Sequence, residues 1–249
     1  MTKASSPASF HSPPLIRVLA GLAVTNVAEA RQSGVERMCQ WLDFTDAIAL
    51  FSVLNGGAAT ASASPDSALS PTFAALHEDL ARVRAALAGS ISKDAVLSPL
   101  SPVASLQTAI ELPGQERSAE GASDFLAYQS AYFAQQRKMI AAIAPLRARV
   151  RAALASASPA LRRLAALDAV LEQALAARQQ QLLAKPPLFL AKRFAQLQRE
   201  QKEESAATPA AWLGEFSKDM QSVLLAELDL RLQPVEGLLA ALGKELTKR

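Results

Sequence analysis

From Ser123 onward, large apolar residues recur every three or four positions in a background of alanine, and only a helix gathers residues so spaced onto one side. Phe125, Tyr128, Tyr132, Met139 and Ile143 make one stripe, and Leu161, Leu164, Leu171, Leu175 and Leu182 make a second. A third runs through Trp212, Phe216, Met220, Val223, Leu224 and Leu228. Half of the 249 residues are apolar, and the excess is Ala and Leu, the strongest helix formers, rather than the β-branched and aromatic residues that sheets favour. The expected fold is all-α, a helical bundle with a long basic αα-hairpin and a flexible Ser/Pro/Ala-rich insert.

The punctuation of the chain divides it into four regions. Residues 1–13, rich in Ser, Pro and Ala, read as a disordered tail. Residues 14–55 read as a three-helix lobe: one helix from Pro14, one near Ala28–Leu42, and one over Asp46–Leu54 capped by Thr45 and stopped by Asn55-Gly56-Gly57. Residues 56–122 are linker-rich, with one helix near 71–88 and at most short helical turns after Gly89. Residues 123–249 form a C-terminal helical domain. There Pro145 is expected to kink a helix that resumes through Leu146, Val150 and Leu154, Pro234 is expected to kink or end the last long helix, and Ser156-Ala157-Ser158-Pro159 closes one helix and caps the next.

Charge is distributed unevenly. Residues 137–199 hold twelve basic and two acidic side chains, a formal charge of +10, while the chain as a whole carries only +3. The basic residues Arg137, Lys138, Arg147, Arg149, Arg151, Arg162, Arg163, Lys192 and Arg193 are the candidate contacts for nucleic acid or an acidic partner. A hairpin over this stretch is expected to bring Arg147, Arg149, Arg151, Arg162 and Arg163 toward one end with no carboxylate to neutralise them. Such a patch would hold phosphates without choosing sequence. Trp41, Trp212 and Leu230, on or beside apolar stripes, are the candidate protein interface.

Chemistry is harder to find. Cys39 is the single cysteine and His11 and His77 the only histidines, which leaves no disulfide and no Cys/His metal set, and favours a reducing, cytoplasmic setting. His77 stands beside Glu78 and Asp79, but successive helical positions diverge by about 100°, so it reads as a surface histidine. The acid pairs Asp43/Asp46 and Glu227/Asp229 read as caps or solvated faces rather than catalytic dyads. No glycine-rich phosphate loop or nucleophile elbow occurs, and no cofactor, metal or catalytic residue is expected. The short apolar run Val18–Ala28 follows Pro13-Pro14 and is interrupted by Thr25 and Asn26, so it is not expected to act as a signal, and the uncharged run Ala47–Pro65, polar after Leu54, is not expected to span a membrane.

Three segments carry a resemblance. Pro14-Leu15-Ile16-Arg17, the run from Arg31-Gln32-Ser33 through Trp41-Leu42-Asp43-Phe44-Thr45-Asp46-Ala47-Ile48, and Leu224 to Val235 are similar to the proteobacterial family catalogued as domain of unknown function 3348. The stretch Asn55–Ser123 contributes nothing to that likeness. The resemblance brings no catalytic residues. It implies genes beside a MotA-like channel protein and an OmpA/MotB-like peptidoglycan binder, as in the type III form of the Zorya anti-phage system. On that implication the chain would be a cytosolic, non-catalytic adaptor or effector in a hetero-oligomer. Its partners would be a second accessory protein, the tail of the MotA-like motor, and DNA, with no insertion into the membrane. The alternatives are a stand-alone, sequence-nonspecific DNA-binding protein or a nuclease subunit.

Overall fold

The computed structural model describes residues 13–22, 40–55, 72–97, 120–203 and 211–247. The tail, most of the helix expected over Ala28–Leu42, and the linkers around 56–71 and 98–119 lie outside the described residues. Among those described, seven helices follow one another: α1 (Pro14–Gly21), α2 (Phe44–Leu54), α3 (Phe73–Ser92), α4 (Glu120–Ala157), α5 (Pro159–Leu183), α6 (Pro186–Glu203) and α7 (Ala211–Leu246). No strand occurs among them, and the fold is all-α.

Local chemistry sets several of the boundaries. Asp43, not Thr45, caps α2: its carboxylate accepts from the Asp46 amide at 2.8 Å while the Asp46 carboxylate accepts from the Asp43 amide at 3.2 Å. This reciprocal box satisfies two amides that a helix start would leave open, and gives the Asp43/Asp46 pair a structural role. Asp43→Ala is expected to lower the unfolding free energy by about 1 kcal/mol, measured as a shift in urea midpoint. Ser158 caps α5 in the expected way, with Pro159 in its first turn.

The two internal prolines do not end their helices. α4 continues past Pro145, and α7 continues past Pro234 to Leu246 rather than ending there. Each proline is followed by a buried residue, Leu146 and Val235, so packing on the helix face outweighs the lost backbone bond. α3 likewise passes Gly89 and runs to Ser92, and α4 begins at Glu120, ahead of the expected cap at Ser123.

The chain forms two compact units, and α3, α4 and α7 each contribute to both. In the first unit, Tyr128 and Tyr132 of α4, Leu190 and Phe194 of α6, and Phe216, Met220 and Leu224 of α7 are buried. Five aromatic rings cluster there, with Phe216 lying 5.0 Å from Phe194 and 5.1 Å from Tyr128, both edge-to-face. The Tyr132 hydroxyl donates to the buried Glu227 carboxylate at 2.6 Å. In the second unit, Leu76 and Leu80 of α3, Met139, Leu146 and Val150 of α4, Leu161 of α5, and Val235 and Leu239 of α7 are buried. α2 packs on α5 in this unit.

Candidate functional site

The expected hairpin is formed by α4 and α5, and its register can be read from polar contacts alone. Near its open end, the buried Gln136 side chain donates to the Leu183 carbonyl at 2.9 Å, covering a terminal acceptor of α5. Midway, Arg147 grips Asp168 with Nε at 2.8 Å and Nη2 at 2.6 Å, and reaches Glu172 at 3.1 Å. One turn further along α4, Arg151 contacts both of the same carboxylates. Beside the connecting turn, Arg162 Nε donates to the Ala155 carbonyl at 3.0 Å. Each step forward on α4 is matched by a step back on α5, so these contacts fix one antiparallel alignment.

This arrangement corrects the expectation of five unneutralised guanidinium groups. Arg147 and Arg151 are spaced four apart on α4, Asp168 and Glu172 four apart on α5, and the antiparallel pairing lays one pair against the other. The side chains of Arg147 and Asp168 are only 14% and 12% exposed. Burial works against the Arg147 charge, but hydrogen bonding to Asp168 and the fields of Asp168 and Glu172 outweigh it and hold its pKa above the ordinary arginine value. Arg149, on the other flank, pairs with Asp79 of α3 at 2.9 Å. In the first unit Arg193 is taken up by Glu215 and by Asp219, the latter at 2.9 Å.

The remaining basic candidates are exposed: Arg137 and Lys138 on α4, Arg162 and Arg163 on α5, and Lys192 on α6. Of these, Arg162 and Arg163 share the tip of the hairpin. Neither carries an ion pair among the described residues, and no acidic side chain occupies the first turn of α5. Two cations at a helix start, where amide dipoles already present positive charge, raise the local potential rather than cancelling it.

The three apolar interface candidates, Trp41, Trp212 and Leu230, are each half-buried. The Trp212 ring lies 5.1 Å from Phe194. Trp41 carries the Arg178 guanidinium 5.2 Å above its ring. Large exposed apolar side chains cluster on α2, at Phe44, Ile48, Phe51 and Leu54. Their spacing was visible in the sequence, where Phe44, Ile48 and Phe51 follow the i, i+4, i+7 pattern of one helix face. Periodicity alone does not say whether such a face turns inward.

Among the described residues, no group of three His, Cys, Asp or Glu side chains is placed to hold a metal ion. No described helix is long and apolar enough to cross a membrane. The family model described as "Protein of unknown function (DUF3348)" matches residues 1–244, including the middle stretch that carried no visible likeness, and the chain belongs to that family. No curated protein and no solved structure matches it.

Proposed function

We propose that this chain is a non-catalytic helical adaptor that binds nucleic acid through the tip of its α4–α5 hairpin and carries a partner protein. The observation that supports this reading is the charge left over at the tip. After Arg147, Arg149 and Arg151 have been taken up by carboxylates, Arg162 and Arg163 stay exposed beside the start of α5 without an ion pair among the described residues. Guanidinium groups grip phosphate oxygens through paired donors, and such contacts give affinity without base selection. Family membership supports the setting, an anti-phage defence system linked to a MotA/MotB-like membrane motor, through the gene neighbourhood that the family implies. The partner in that setting is the second accessory protein.

The purified full chain is expected to shift a labelled DNA duplex at low salt, irrespective of its sequence. Arg162→Glu/Arg163→Glu is expected to weaken that binding at least about tenfold, since each reversal adds repulsion to a lost contact, with the fold retained and only the Arg162–Ala155 bond lost from the hairpin. Co-expression with the neighbouring accessory protein is expected to give a co-purifying pair. A wild-type chain that leaves DNA unbound at low salt would overturn the nucleic-acid reading, and separate elution of the two proteins would overturn the partner.

A further inference from the structure

α2 turns its bulk outward. Val53 is buried and Ala49 and Leu50 are half-buried, yet Phe44 is 82% exposed, Ile48 53%, Phe51 67% and Leu54 60%. Phe44, Ile48 and Phe51 form one stripe, with exposed Ala47 and Leu54 along its edge. Single exposed apolar residues are ordinary, but four large ones on one side of an 11-residue helix make a continuous patch. Given the area of aromatic and aliphatic side chains, these four present roughly 500 Å² to solvent, near the upper range of the largest apolar patch on a monomer.

The chemistry of the strip narrows what covers it. Asp46 is the only charged residue within α2, and with Asp43 it sits at the N-terminal end, tied into the capping box. A helix that lies on an anionic lipid surface carries Lys and Arg along its polar flank, and α2 has neither. Complementary charge is what gives specificity for one particular foreign partner, and this face offers none. A face without charge is, however, compatible with itself.

We propose that the strip is covered by a second copy of this chain, with the two α2 helices packed antiparallel about a two-fold axis. An isologous contact sets the same patch on both sides, so every apolar residue meets apolar surface and no charge is buried unpaired. Antiparallel packing keeps the acidic ends of the two helices apart. Two such faces together remove roughly 1,000 Å², the lower bound for a specific interface, so the dimer is reversible rather than obligate. This inference does not depend on nucleic-acid binding. A dimer would nonetheless present two hairpin tips to one polyanion, and bivalent contact raises apparent affinity without any new interaction.

Sedimentation equilibrium of the full chain over roughly 1–100 µM tests the inference. The mass is expected to rise with concentration from the monomer value of 26.4 kDa toward twice that value. Phe44→Asp/Phe51→Asp is expected to stay monomeric throughout, with circular dichroism unchanged because both side chains are exposed. As a second reading, Ile48→Cys in a Cys39→Ser background is expected to form a disulfide-linked dimer on mild oxidation. A wild-type chain that remains monomeric at the top of the range would overturn the proposal and leave the strip to another protein or to lipid. Undiminished dimerisation of the aspartate variant, or no cross-link through Cys at position 48, would equally overturn it.

Discussion

Asp168→Ala is expected to lower the unfolding free energy by about 2–3 kcal/mol, because one carboxylate serves two guanidinium groups that are largely withdrawn from water. Asp168 accepts both arms of the Arg147 fork and a further bond from Arg151 at 3.1 Å. Without it, Glu172 is left with both cations, and Glu172 is about a third exposed, which keeps the cost below that of a fully buried orphan charge. Replacing the pair together, as Arg147→Met/Asp168→Leu, is expected to cost less than about 1 kcal/mol, since the penalty lies in stranding one charge rather than in losing the pair. Urea titration of the single and double variants separates these outcomes. The pH sense is also set: the raised Arg147 pKa makes its contribution complete below the ordinary arginine value and lost only in strong alkali.

Phe216→Ala is expected to have the larger effect, about 3–5 kcal/mol, the usual cost of removing a buried aromatic ring. Phe216 is fully buried, and its ring meets Phe194, Tyr128 and Phe125. Deleting it opens a cavity at the centre of the cluster and removes edge-to-face contacts worth more than their area. Trp212 reaches the same cluster only through Phe194 among the ring contacts and is half-buried, so Trp212→Ala is expected to cost less than Phe216→Ala. Near-UV circular dichroism during urea unfolding reads both variants. Equal destabilisation by the two would contradict the placement of Phe216 at the centre.

Much of the fold was written in local sequence. Alanine and leucine at helical spacing gave the class, and Ser158-Pro159 marked a real helix start. Packing outweighed a local rule at Pro234, which lies inside α7 beside buried Val235. The charge was misread for a different reason. A count along the chain treats Asp168 and Glu172 as two acids among twelve bases, whereas the hairpin sets them against Arg147 and Arg151, and α3 brings Asp79 to Arg149. The mirrored four-residue spacing on the two helices was a legible sign of the first pairing. Nothing local pointed to the second, whose partners lie on helices separated by the whole stretch between Ser92 and Glu120.

The division of the hairpin arginines into structural and binding sets is tested most directly by the salt dependence of binding to a labelled DNA duplex. The wild type, Arg162→Gln/Arg163→Gln and Arg147→Gln are compared, each with a parallel urea titration. The tip variant is expected to lose about 0.9 from the slope of log affinity against log salt for each phosphate contact removed, with a smaller loss of stability than the interior variant. The interior variant is expected to keep the wild-type slope and lose stability. An unchanged slope in the tip variant, or a reduced slope in the interior variant at full stability, would contradict the account.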